Sequence, residues 1–201
     1  MVSTSMPNMK YAWFDPWVGS YVEAIGLTVA RIGSPEKFLS LVGAEPLGDK
    51  EPGGVLALAD GSTFDQALVG VVPVPEGSGW VLGAESPSNV CYWKAEQLSA
   101  ADGIVAAFHY TEDSGGRFNW TGSGITLAEL SLTDGADAGV DGSEPRRLLE
   151  ALRTAGLSTD GTTEPCAAAL ALFEVITGAV ITQEILGGEF TVGSVAEPYN
   201  L

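Results

Sequence analysis

Cys166-Ala167-Ala168-Ala169-Leu170-Ala171-Leu172-Phe173, continued through Val175 and Ile176 and stopped at Thr177-Gly178, is the longest apolar run of the chain's C-terminal third. Glu174 alone interrupts it. A helix with one apolar stripe lies on a surface, whereas one that is apolar nearly all round must be covered on several sides. The segment therefore reads as a central core helix, its small Ala side chains letting a sheet or other helices approach closely. It is shorter than the roughly 20 apolar residues needed to cross a bilayer. The rest of the chain has to supply its cover.

The chain is long enough to do so. A globule of 201 residues buries about 70% of its unfolded surface, and one domain over 1–201 is expected. Hydrophobic residues make up 45% and charged residues 17%, the composition of a folded protein. Nine Lys and Arg stand against 26 Asp and Glu, for a formal net charge of −17. That balance argues against binding nucleic acid through its phosphates and against anionic membranes. It suits solubility and a basic protein partner. The two cysteines, Cys91 and Cys166, make no disulfide framework, and a buried free thiol packs as a small hydrophobe. Met1 to Lys10 lacks the basic start and apolar run of a signal peptide. It reads as a flexible leader of a cytoplasmic protein.

Working outward, Asp15-Pro16 is a helix start, with Trp17, Val18, Tyr21, Val22 and Ile25 at helical spacing. Ser34-Pro35-Glu36 starts a second helix, and Gly43 is placed to end it in a left-handed conformation. Pro46 to Gly54 reads as a turn-rich connector. The period then changes. Val55 to Ala59, Ala67 to Val74, Trp80 to Ser86 and Ile104 to Tyr110 read as strands, with Pro73 and Pro75 restricting the second to an edge or an end. In the clearest of these, Ile104, Ala106, Phe108 and Tyr110 share one face, opposite Val105, Ala107 and His109. Ser114-Gly115-Gly116 turns the chain into Arg117 to Thr121, and Ile125 to Leu132 completes an antiparallel meander. Ser143-Glu144-Pro145 opens a helix with Leu148, Leu149 and Leu152 inward and Arg146, Arg147 and Arg153 as a basic patch. After the core helix, Thr182 caps a last short turn, and 187–201 reads as a loosely packed tail. The expected class is α+β: an antiparallel meander packed on one face against N- and C-terminal helices.

Trp13 and Trp17, Pro35 to Gly43, Trp80 to Ser86, Leu98-Ser99, and Ala168-Leu170-Ala171-Leu172 leading into Ile176 to Thr182 together resemble an actinobacterial domain family of unknown function. The order of these motifs, spread over most of the chain, carries the resemblance. It implies a bacterial or phage cytoplasmic setting and, since the family has no assigned activity, no catalytic residues.

The residues themselves carry little chemistry. His109 is the only histidine and there are two cysteines, so neither a multi-histidine nor a Cys₄ metal site can be built, and no metal or other cofactor is expected. Cys91 with His109 is the one conceivable nucleophile and base. No phosphate loop, nucleophile elbow or dinucleotide fingerprint is present. The glycine-rich loop 133–143 holds Asp134, Asp137 and Asp141 at spacings of three and four, not the alternate positions of a calcium loop.

Charge without chemistry points to a non-catalytic acidic protein-binding module, of the immunity-like or phage-encoded inhibitor type. Asp134, Asp137, Asp141, Glu112 and Asp113 are its candidate partner-binding residues. Two alternatives stand beside it. One is a small hydrolase or carbohydrate-active enzyme using paired carboxylates, with Glu85 and Glu112-Asp113 as candidates. The other is a virion structural or assembly component.

Overall fold

A computed structural model describes residues 7–51, 54–63, 65–75, 78–100, 103–196 and 198. In chain order the elements are α1 (Phe14–Tyr21), β1 (Ala24–Arg31), α2 (Pro35–Val42), β2 (Glu45–Glu51), α3 (Gly54–Gly61), β3 (Gln66–Pro73), β4 (Trp80–Glu85), α4 (Val90–Trp93) and α5 (Ala95–Ser99). They continue as β5 (Ile104–Thr111), β6 (Gly115–Gly122), β7 (Ile125–Ser131), α6 (Pro145–Thr154), α7 (Pro165–Thr177), α8 (Gln183–Leu186) and β8 (Phe190–Ala196). The strands form one eight-stranded sheet in the order β2-β8-β3-β4-β1-β5-β6-β7, and every adjacent pair is antiparallel. The class is α+β, and β5-β6-β7 is the expected meander.

Helices cover both faces of the sheet, not one. Alternation along the strands makes two cores. Ile25, Leu27, Leu82, Ala106, Phe108, Phe118 and Phe190 face α7, with α1, α3 and α6 around it. Ala30, Val69, Val71, Val81, Val105 and Ala107 face the other way, under α2, α4 and α5. Pro165 starts α7, and Gly178, in the left-handed region at φ 75°, ends it. The helix is buried from Pro165 to Phe173, as an all-round apolar run demands. Ser34 and Gly43 cap α2, and Thr182 caps α8.

Five segments differ from the sequence reading. The first helix stops at Tyr21, because Val22 is extended, and Ile25 belongs to β1 at the middle of the sheet. Seven of the eight β1 residues are buried, so both faces look apolar and the strand imitates the end of a helix. Val55 to Ala59 is helical, with Val55 and Leu58 inward at a spacing of three. A short apolar run fits helix or strand equally well. Glu45–Glu51 is a strand and not a connector, at a sheet edge where Pro46 is tolerated and the register is irregular.

The segment after Gly187 is not loose through β8, which lies inside the sheet between β2 and β3 with Phe190 and Val192 buried. At the other end, residues 1–6 of the expected leader lie outside the described residues. Pro7–Tyr11 forms a 3-10 turn, Tyr11 is buried, and both Lys10 and Tyr11 bond to Glu174 of α7.

Candidate functional site

The register sets which ends of strands meet. Ala24 pairs with Thr111 and Thr111 with Gly115, so the start of β1, the β5–β6 turn and the start of β6 share one end of the sheet. Leu132 donates its N–H to Gly116, and Ala136 donates to Thr159, which brings in the segments after β7 and α6. Gly116 lies against Pro165 at the start of α7. This end therefore gathers Glu23, Glu112, Asp113, Asp134, Asp160 and Glu164, all exposed. The segments that form it, 22–24, 111–116, 131–137 and 158–165, contain no Lys or Arg. Glu23, Glu112 and Asp113 border a cleft of about 220 Å³ with Pro87 and Thr111.

The sequence candidates divide on this geometry. Glu112, Asp113 and Asp134 stand at the same end, and Asp137 follows in the 3-10 turn Ala136–Ala138. Asp141 is drawn away, since its backbone bridges to Glu129 beside β7. Glu23, Asp160 and Glu164 join the rim although they lie far from Glu112 in the chain. Strand register brings Glu23 to the rim, and the Ala136–Thr159 bond and the packing of Gly116 on Pro165 bring Asp160 and Glu164, so no local signal could have found them.

The other ionisable groups near this end serve the fold. Glu85 is fully buried at the end of β4, and its carboxylate accepts from the Ser88 hydroxyl at 2.6 Å and from the Val90 and Cys91 N–H groups at 2.9 and 2.8 Å. It caps α4. Burial pushes its pKa up, against the pull of those donors. Burial, and next to it the Glu85 carboxylate, push the Cys91 thiol well above its ordinary range. His109 meanwhile packs edge-on against the Tyr92 ring at 4.7 Å. Burial, with the Arg117 charge second, lowers its pKa. A nucleophile needs a thiolate at working pH, whereas burial first and the Glu85 carboxylate next hold the Cys91 thiol well above its ordinary range. His109 Nδ1 meets no hydrogen-bond partner, the Cys91 thiol included.

Beside it, Tyr92 donates its hydroxyl to Glu129 at 2.9 Å, and Arg117 grips the same carboxylate oxygen through Nε at 3.1 Å and Nη2 at 2.7 Å. The basic residues of α6 do not bind the aspartate loop. Arg147 pairs with Glu144 at 3.2 Å and lies 4.8 Å over the Trp120 ring. Among the described residues no group of three or more His, Cys, Asp and Glu side chains is placed to hold a metal ion. No helix there is long and apolar enough to cross a membrane.

Fold and rim together define an acidic α+β domain, an antiparallel sheet between two helical layers with a carboxylate-rich end. Over residues 4–199 the chain matches a family of unknown function, DUF6461, and belongs to it. No curated protein and no solved structure matches it.

Proposed function

We propose that this protein is a non-catalytic binding module that uses its acidic sheet end to recognise a basic protein partner, in the manner of small immunity or inhibitor proteins of bacteria and their phages. One observation carries the reading: six exposed carboxylates, Glu23, Glu112, Asp113, Asp134, Asp160 and Glu164, stand on segments that hold no Lys or Arg. Like charges gathered on a rigid frame without internal counterions lose their mutual repulsion when a cationic surface covers them. Such complementarity speeds encounter and selects the partner more than it adds raw affinity. The acids that the fold needs, Asp15, Glu85, Glu129 and Glu174, are engaged elsewhere. In the rim itself, Asp134 accepts the neighbouring Ser131 hydroxyl at 2.7 Å.

Affinity capture from a bacterial lysate tests this, with the wild-type chain and a Glu23→Gln/Glu112→Gln/Asp113→Asn/Asp134→Asn variant run side by side. The expected result is a basic protein retained by the wild type, released progressively by salt and lost on the variant. Equal retention on both would overturn the reading.

A further inference from the structure

On its second face the sheet has a partly exposed corner next to the acidic end, where Arg117 stands in register with Ser131. Helix α5 packs on β6 and β7 at their Thr121 and Thr126 ends, and farther along these strands the side chains of Arg117 and Glu129 keep 45% and 25% exposure. Arg117 and Asn119 alternate along β6 and so point to the same face, and Asn119 is the registered partner of Glu129 on β7. His109 of β5 pairs with Arg117. The wall above this floor is aromatic. Tyr92 spans from His109 to Glu129, and Trp93 packs edge-on against Tyr92 at 5.5 Å while remaining 63% exposed.

Three features of this notch need an explanation that the fold does not supply. Trp93 is the large aromatic that the fold leaves most open among the described residues, although it sits on a helix fastened by the buried Glu85. Asn119 and His109 are each 7% exposed, yet Asn119 Oδ1 and His109 Nδ1 have no hydrogen-bond partner within the protein. Buried polar atoms are satisfied in the great majority of cases, so two orphans at diagonal positions of neighbouring strands mark a place built for something else to bond. Finally, the notch is neutral in a chain of net charge −17, because Arg117 and Glu129 cancel each other.

An aromatic wall, a floor that offers both donors and acceptors, and no net charge fit one ligand chemistry. A cation would need uncompensated acids, an anion uncompensated bases, and an apolar group a dry floor. A sugar ring has an apolar C–H face and a rim of hydroxyls that both donate and accept. We propose that this notch binds an uncharged saccharide, its ring face on the Trp93 indole and its hydroxyls read by Asn119, Arg117 and Glu129. The proposal stands independently of the acidic rim. Asn119 contributes an amide that accepts and donates at once, and the Arg117–Glu129 pair is pre-oriented by Tyr92.

The test is a glycan array probed with the full chain, followed by calorimetric titration of the neutral glycan bound most strongly. Trp93→Ala, an exposed position whose loss leaves the core intact, should weaken binding about tenfold or more, with Trp93→Phe intermediate and Asn119→Ala impaired. A Glu112→Gln/Asp113→Asn variant should bind the glycan as the wild type does. Absence of any neutral glycan from the array, or equal affinity in Trp93→Ala, would overturn the proposal. Binding confined to charged glycans would do the same.

Discussion

The Asp15 carboxylate accepts the backbone N–H of Cys166 at 3.1 Å and of Ala167 at 2.7 Å, so a residue of the first helix caps the N-terminus of the central one. The α7 N-cap, Glu164, makes no side-chain cap of its own, and Asp15 supplies that function from across the chain. Replacing a capping side chain by Ala costs about 1 kcal/mol, and a charge-assisted pair of bonds lies toward the upper end of that effect. Asp15→Ala should lower stability by about 2 kcal/mol in urea unfolding, and Asp15→Asn, which keeps an acceptor, by about half as much. Equal stability of Asp15→Ala and wild type would show that the cap carries nothing.

Glu85 makes stability depend on pH in an unusual direction. Its folded pKa is raised above the ordinary Glu value of 4.5, chiefly by burial. The folded protein therefore holds this proton to higher pH than the unfolded chain does, and the contribution of Glu85 to stability falls as pH rises from 4.5 through the raised value. Glu85→Gln cannot titrate. The stability difference between wild type and this variant should be flat below that window and shrink across it. A difference that grows with pH would contradict the assignment.

The same carboxylate explains Gly26. A Cβ on Gly26 would stand 2.7 Å from Glu85 Cγ, and the carboxylate is held by three donors, so it cannot give way. Gly26→Ala should cost about 2 kcal/mol, the usual scale of overpacking. Thermal unfolding would measure it, and a neutral substitution would mean that Glu85 moves freely.

Both thiols should be silent in the native state. Cys91 and Cys166 are each 1% exposed, and burial pushes both above their ordinary range, helped by Glu85 in one case and Asp15 in the other. At about pH 8 a thiol reagent should label neither cysteine in the folded protein and both after denaturation. Rapid labelling of Cys91 in the native protein would contradict the packing described.

At the outer end of α7, Glu174 joins Lys10 at 2.8 Å and the Tyr11 hydroxyl at 2.7 Å. The Lys10 pair is solvent-exposed, and such pairs contribute about 0–1 kcal/mol. Lys10→Ala should therefore change stability little, whereas Glu174→Ala, which also deprives the half-buried Tyr11 hydroxyl, should cost about 1 kcal/mol more. Equal effects of the two substitutions would place the bond to Tyr11 outside the energetics.

Elements that announce themselves locally were legible. Core helix α7 shows in its unbroken apolar run and Gly178, α2 in Ser34 and Gly43, and β5 in the alternation of Ala106 and Phe108 with Val105 and Ala107. Elements buried on both faces were not. In β1 and β8 nearly every residue points into one core or the other, which erases the period-two signature and leaves apolar runs broken by Gly26 or Gly193. Asp15 and Glu85 were visible as a helix-start residue and a strand-end carboxylate, but the helices they cap could be found only in three dimensions. The rim was half legible. Glu112, Asp113 and Asp134 stood out as acids in turns, while Glu23 reaches them through strand pairing and Asp160 and Glu164 through loop contacts.

The most direct test of the acidic-end account is the affinity of the captured partner for wild type and for the Glu23→Gln/Glu112→Gln/Asp113→Asn/Asp134→Asn variant, measured from about 50 to about 500 mM salt, where screening lengths shorten severalfold. Wild-type binding should weaken steadily with salt, and the variant should bind about tenfold or more weakly at low salt with a shallower dependence. Identical affinities and identical salt slopes for the two proteins would contradict it.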